Sequence, residues 1–136
     1  NKTIKIHKDG KRWLHTGDIG YITKMGQVHI FNRGFSKHYK GGNLFISLME
    51  NKIIDIEGIK DAFFVLVPDE KHKEYFIPHL YLSLHKNYTL DNIKPILYSK
   101  LEEYEYPKEI HIIKERPFFH YKTARKILIK DILNNN

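Results

Sequence analysis

The 136-residue chain contains no cysteine. Disulfides and thiolate metal centres are therefore excluded, and a reducing, cytoplasmic compartment fits. No apolar run approaches the roughly 20 residues needed to cross a bilayer. The first residues, Asn1-Lys2-Thr3, include neither an initiating methionine nor a secretory pattern, so the sequence reads as cut from a longer chain. None of the nine histidines falls in a His-Glu-x-x-His pair, and no metal site is expected. Ser36 and Ser47 lack a nucleophile-elbow context, so serine-based catalysis is not supported. Internal repeats are absent too.

What is present suits a packed domain. Hydrophobic residues make up 41% of the chain and aromatics 13%. The formal charge is +7 with a pI near 9.4, a surface that attracts polyanions. Nucleotides, coenzyme phosphates, nucleic acid and acidic carrier proteins are the classes this admits.

The apolar patterning changes character along the chain. Thr3 to His7, Arg12 to His15, Ile19 to Thr23 and Gln27 to Phe31 read as short strands, the last two joined in a hairpin at Lys24-Met25-Gly26. Gly41-Gly42 breaks the pattern. Residues 46–55 then show helical spacing, with Met49, Ile53 and Ile56 on one face. Ala62 to Val67 is a continuous apolar run that suits a buried strand, and Tyr75 to Leu84 a second. Thr89 is a plausible helix N-cap ahead of Leu90, Ile93, Ile96, Leu97 and Leu101. Glu109 to Ile113 makes a third strand, and Arg116 to Thr123 an aromatic and basic loop. Ala124 to Leu133 closes as a helix, with Ile127, Leu128 and Ile132 turned inward. These elements predict an α+β fold: a small carboxy-terminal domain with a three-stranded sheet and flanking helices, preceded by a β-hairpin or meander fragment.

Four short patterns could carry chemistry. In Trp13-Leu14-His15-Thr16-Gly17-Asp18, a tight turn would hold the Asp18 carboxylate, whose two oxygens can accept from both hydroxyls of a ribose. Arg33, after Asn32, could reach ribose or phosphate oxygens. Gly41-Gly42 would let backbone approach a ligand closely. Leu101-Glu102-Glu103-Tyr104-Glu105-Tyr106-Pro107 reads as a helix end. Last, Lys122-Thr123-Ala124-Arg125-Lys126-Ile127-Leu128 could deliver a cation to a reacting phosphate, where negative charge grows in the transition state.

Taken in order, with Val67-Pro68-Asp69-Glu70 between them, these motifs resemble the end of the adenylate-forming acyl- and aryl-coenzyme A synthetases, the AMP-binding enzyme family. The resemblance spans Arg12 to Leu133. It implies an ATP-dependent ligase that first forms an acyl-adenylate. A domain swing then admits the thiol of coenzyme A or of a carrier's phosphopantetheine. It implies ATP with magnesium, held mainly by a large domain outside this sequence, and a carboxylic acid substrate. An acyl carrier protein is the alternative partner to coenzyme A. Residues 1–33 would end the large domain and residues 34–136 would form the mobile one. By the same resemblance Lys126 is the adenylation lysine. Asp18 and Arg33 bind nucleotide, Gly41 and Gly42 border the pantetheine channel, and Gly34 and Phe35 form the hinge.

The sequence departs from the family pattern at several of these points. Asn32 stands for a glycine, Phe35 and Ser36 for polar hinge residues, and Leu48 for the first glutamate of a Glu-Ile-Glu helix. Arg125 stands for the glycine before the catalytic lysine, and the loop before it is longer, which makes Lys122 a rival to Lys126. The family's Ser/Thr/Gly-rich phosphate loop is absent, so this chain alone is expected to be inactive. A carrier-docking module without catalytic role and a basic nucleic-acid-binding module are the other function classes weighed.

Overall fold

The computed structural model describes residues 4–6, 12–14, 19–32, 36–38, 41–119 and 122–135. Its first part is built from small antiparallel pairs. β1 (Ile4–Ile6) lies beside β2 (Arg12–Leu14), and β3 (Ile19–Ile22) beside β4 (Val28–Asn32). The β3–β4 turn falls where the sequence predicts it. Thr23 N–H donates to the Gln27 carbonyl at 2.9 Å, and Gln27 N–H donates back to Thr23 Oγ1 at 3.1 Å. A two-residue pair, β5 (Ser36–Lys37) with β6 (Asn43–Leu44), frames the Gly41-Gly42 turn.

The remaining chain forms an α+β unit. In order it contains α1 (Ile46–Ile53), β7 (Ile59–Pro68), β8 (Phe76–Leu84), α2 (Leu90–Lys100), a 3-10 turn (Glu103–Glu105) and β9 (Ile110–Ile112). The short strands β10 (Phe118–Phe119) and β11 (Lys122–Thr123) and the helix α3 (Arg125–Asn134) complete it. The sheet order is β7-β8-β9, with β8 central. β7 pairs with β8 antiparallel, and β9 joins β8 parallel. The parallel pairing follows from α2, the crossover that returns the chain to the same end of the sheet.

Burial explains the continuous apolar run at residues 62–67. Strand side chains alternate between faces, and here both faces are covered. Phe64, Leu66, Leu80 and Leu82 point toward α1 and α2, where they meet Met49, Ile53, Ile93 and Leu97. Phe63, Val65, Val67 and Tyr81 point the other way, toward Leu128, Ile129 and Ile132 of α3. Phe63 and Phe64 are both fully buried. Truncating either to alanine would cost about 3–5 kcal/mol through lost burial and the cavity left behind.

Three local expectations need correction. Ile96 is 48% exposed and Ile127 50% exposed, although their spacing suits the inner faces of α2 and α3. On α3 the inward row is 125, 128, 129 and 132, because Arg125 takes an inner position and rotates Ile127 out. The stretch from Arg116 to Thr123 is not all loop: β10 and β11 pair within it. At the start of α2, Thr89 and Asn92 act together, with Thr89 N–H and Oγ1 both donating to Asn92 Oδ1 at 3.3 and 2.8 Å.

A column of rings crosses the α3 face of the sheet. The Phe63 and Tyr81 rings stack at 5.0 Å, and Tyr81 stacks on His111 at 4.4 Å. His79 lies beside His111, its Nδ1 3.2 Å from His111 Nε2. Burial is the main force holding the His79 pKa down, to about 4. Repulsion from His111 and Lys108 adds to this, and Glu109 opposes it. A histidine depressed in the folded state contributes stability present above its unfolded pKa and lost as pH falls through its folded pKa. Stability should therefore fall by at most about 3 kcal/mol between pH 6.5 and pH 4 from this group. Urea midpoints measured with chelator across that window check it, and His79→Gln should flatten the dependence.

Candidate functional site

Among the described residues β7 has a strand neighbour on one side only, so alternate backbone groups face outward along its other edge. Side chains take them. Ala62 N–H donates to Asp61 Oδ1 at 2.9 Å, and the Ala62 carbonyl accepts from Arg116 Nη2 at 3.1 Å. Phe64 N–H donates to Glu50 Oε1 at 3.4 Å, and the Phe64 carbonyl accepts from Arg125 Nε at 3.0 Å. Each arginine is in turn paired with the carboxylate beside it. Arg116 bridges Asp61 through Nε and Nη2 at 3.0 and 2.7 Å, and Arg125 Nη2 meets Glu50 at 2.9 Å. Arg116 also donates to Thr123 Oγ1 at 3.1 Å and lies over the Phe63 ring at 4.8 Å.

These contacts fix the entry to α3. Ala124 N–H closes onto the Pro117 carbonyl at 2.9 Å, and Arg125 is the first helical residue. Lys126 follows it and is exposed. The first turn of α3 holds no acidic residue and no side-chain cap. Its first-turn N–H groups and the helix dipole therefore present positive potential alongside Lys126. Glu50 answers Arg125 at a cost. Burial raises its pKa, and Arg125 and the Phe64 amide offset that only partly.

The structure brings two other motifs together. Gly41 and Gly42 both have positive φ, at 91° and 82°. A Cβ on Gly42 would come within 2.5 Å of the Tyr104 ring, whereas one on Gly41 would meet nothing within 4 Å. The tyrosine of the Leu101-to-Pro107 segment thus packs flat on the second glycine. The same turn is tied to His38, whose N–H donates to the Gly42 carbonyl and whose carbonyl accepts from Gly41 N–H. His38 also lines a cleft of about 750 Å³, along with Lys71, His72, Tyr106 and Lys108. Asp69 and Glu103 line it too, so its charged groups are of both signs.

Asp18, Arg33, Gly34 and Phe35 lie outside the described residues, as does the side chain of Lys122. The structure thus brings together Gly42 and Tyr104, and Arg125 and Glu50. No hydrogen bond or ion pair described here links Lys126 to the glycine turn. Sequence reasoning missed Glu50 and Arg116 as organisers of the α3 entry. The only signal for them was opposite charge far apart in the chain, which has no local pattern.

No protein-family model matches the chain. It is 33% identical over 106 residues to the 2-succinylbenzoate–CoA ligase of Oceanobacillus iheyensis, covering 77% of this chain and 22% of the ligase. To the 2-succinylbenzoate–CoA ligase of a Geobacillus strain it is 26% identical over 137 residues, covering 98% of this chain and 27% of that protein. The chain is thus similar, over most of its own length, to the carboxy-terminal parts of adenylate-forming acyl- and aryl-CoA synthetases. It spans about a quarter of the length of these relatives. The o-succinylbenzoate CoA synthetase of Bacillus subtilis, solved with its acyl-adenylate intermediate, superposes with a TM-score of 0.67. At 24% identity, over 90% of this chain and 25% of that one, the match shows a shared fold. Against the synthetase pattern Arg125 is out of place, yet its guanidinium is bonded to the Phe64 carbonyl and to Glu50.

Two tests probe this geometry. Arg125→Gln should raise the Glu50 pKa further, because it removes the strongest opposing charge. The sign follows: a carboxyl raised in the fold favours the folded state at low pH, so the variant should lose more stability than wild type as pH rises above 4.5. A loss of about 1–3 kcal/mol at neutral pH is expected from the broken buried pair. Carbon-detected carboxyl titrations and urea melts at several pH values check both. In the second test, Gly42→Ala should destabilise by about 2–3 kcal/mol, and Gly41→Ala by only about 1 kcal/mol, since only the first adds a clash to the backbone strain. Paired thermal melts decide between them.

Proposed function

We propose that this chain is the mobile carboxy-terminal domain, with the last strands of the large domain, of an ATP-dependent acid–thiol ligase. Residues 1–33 complete the large domain and residues 34–136 form the moving one, hinged at Gly34 and Phe35. The chemistry runs in two halves. A carboxylate oxygen attacks the α-phosphorus of ATP, pyrophosphate leaves, and an acyl-adenylate forms. The domain then turns, a thiolate attacks the acyl carbon, and AMP departs. Magnesium would neutralise the ATP phosphates from the large domain.

In this reading Lys126 serves the first half-reaction, as a cation beside the phosphoryl oxygens while their charge develops. One observation carries it. The first turn of α3 is cationic, uncapped and free of acidic residues, and Lys126 projects from it exposed. Such a turn is poorly matched to its own dipole and well matched to an anion. Asp18 and Arg33 would hold the ribose and its phosphate. Gly41 and Gly42 would border the path of the pantetheine arm in the second conformation, next to the cleft at His38, Lys71 and Lys108. The relatives above are named CoA ligases, which favours coenzyme A over a carrier protein as the thiol source.

The test uses the complete ligase. Lys126→Ala should cut ATP–pyrophosphate exchange by about 100-fold or more, judged from the usual worth of one transition-state cation or donor. Thioester formation from a supplied acyl-adenylate should stay near the wild-type rate. Equal damage to both steps would remove Lys126 from the role. Loss of exchange from Lys122→Ala alone would move the role to that lysine. The 136-residue chain by itself should show no exchange.

A further inference from the structure

Among the described residues, one group of histidine and carboxylate side chains converges away from the α3 entry and the glycine turn. His79 lies on β8, while Glu109 and His111 belong to the β9 segment. Leu80 pairs with Ile110 and Tyr81 with His111, which puts His79 opposite Glu109 and diagonal to His111. Glu109 and His111 are two apart on a strand, so both side chains leave by the α3 face, where His79 also points.

We propose that His79, Glu109 and His111 form a binding site for a divalent transition-metal ion of the zinc class. The distances favour it. A tetrahedral ion with nitrogen ligands at about 2.0–2.1 Å separates them by about 3.3–3.5 Å. His79 Nδ1 and His111 Nε2 are 3.2 Å apart. Glu109 Oε2 is 3.7 Å from His111 Nε2, and one ligand atom from each of the three residues lies within 4.8 Å of the others. Glu109 is largely exposed, so its carboxylate can close the remaining gap by a rotamer change. Two imidazoles and one carboxylate leave a fourth position for water. That ligand set suits zinc, cobalt, nickel or copper and does not suit magnesium or calcium. The Tyr81 ring, stacked on His111, fixes the plane of that ligand from behind. An ion here would clip β9, which pairs with β8 over three residues, to the centre of the sheet.

The experiment uses the 136-residue chain stripped with chelator. Zinc is titrated by calorimetry, and cobalt by its visible absorption. One equivalent should bind with a dissociation constant in about the micromolar range, with tetrahedral cobalt bands and a raised melting temperature. His111→Gln, at a partly buried position and checked for folding by circular dichroism, should weaken binding by at least about tenfold and abolish the thermal shift. Glu109→Gln should weaken it less, and His85→Gln, at an exposed position elsewhere, should leave it unchanged. Absence of saturable binding of either ion to the wild-type chain would overturn the site. So would unchanged affinity in the folded His111→Gln variant.

Discussion

The open edge of β7 is the constraint around which the carboxy-terminal unit is arranged. The strand is buried on both faces, by α1 and α2 on one side and α3 on the other. Its outward amides and carbonyls therefore have little access to water, and each needs a partner. Asp61 with Arg116, and Glu50 with Arg125, supply those partners in two successive sets. Each set is an ion pair that also bonds the backbone, which is the geometry a half-buried charge requires. The raised Glu50 pKa records what that burial costs. What the arrangement yields is position. Arg125 draws the first turn of α3 to the edge, and Arg116 holds the β10–β11 hairpin that feeds it.

This places Lys126 on a rigid support. The residue before it is bonded to β7 and α1, and Ile132 further along α3 is buried against the sheet. A cation carried this way would move with the whole sheet in the domain rotation proposed above, with little of the motion absorbed by a loop. Rigid-body rotation about a short hinge is the cheaper way to deliver one side chain to one half-reaction and withdraw it for the next. The Gly42–Tyr104 contact has the same character at the other motif. A glycine that accepts a ring face fixes the turn against the segment after α2, and through His38 it fixes one wall of the cleft.

The architecture was legible where the signal was periodic. The apolar run at 62–67, the β3–β4 turn and the three-stranded sheet all follow from patterns a few residues long. The parallel direction of β9 follows from a crossover that only the placement of α2 reveals. The inner face of α3 was misread because periodicity counts apolar residues, and the row at 125, 128, 129 and 132 begins with an arginine. Partners such as Glu50 and Arg125 are 75 residues apart, and nothing local announces them. The cluster of His79, Glu109 and His111 escaped for a similar reason. Metal spacing rules read ligands along one helix or loop, whereas these come from neighbouring strands.

The pairing of Glu50 with Arg125 also changes how the departures from the family pattern are understood. Read along the sequence, Arg125 is a loss, because a glycine before the lysine would leave the backbone freer. In the fold the arginine is bonded to the Phe64 carbonyl and to the part-buried Glu50 carboxylate, for which it is the strongest opposing charge. Backbone freedom has been exchanged for a side-chain tether. The exchange also sorts the two charges in the first turn of α3. Glu50 neutralises Arg125 on the inner side, which leaves the positive charge of Lys126, together with the helix dipole, directed at whatever anion approaches from solvent.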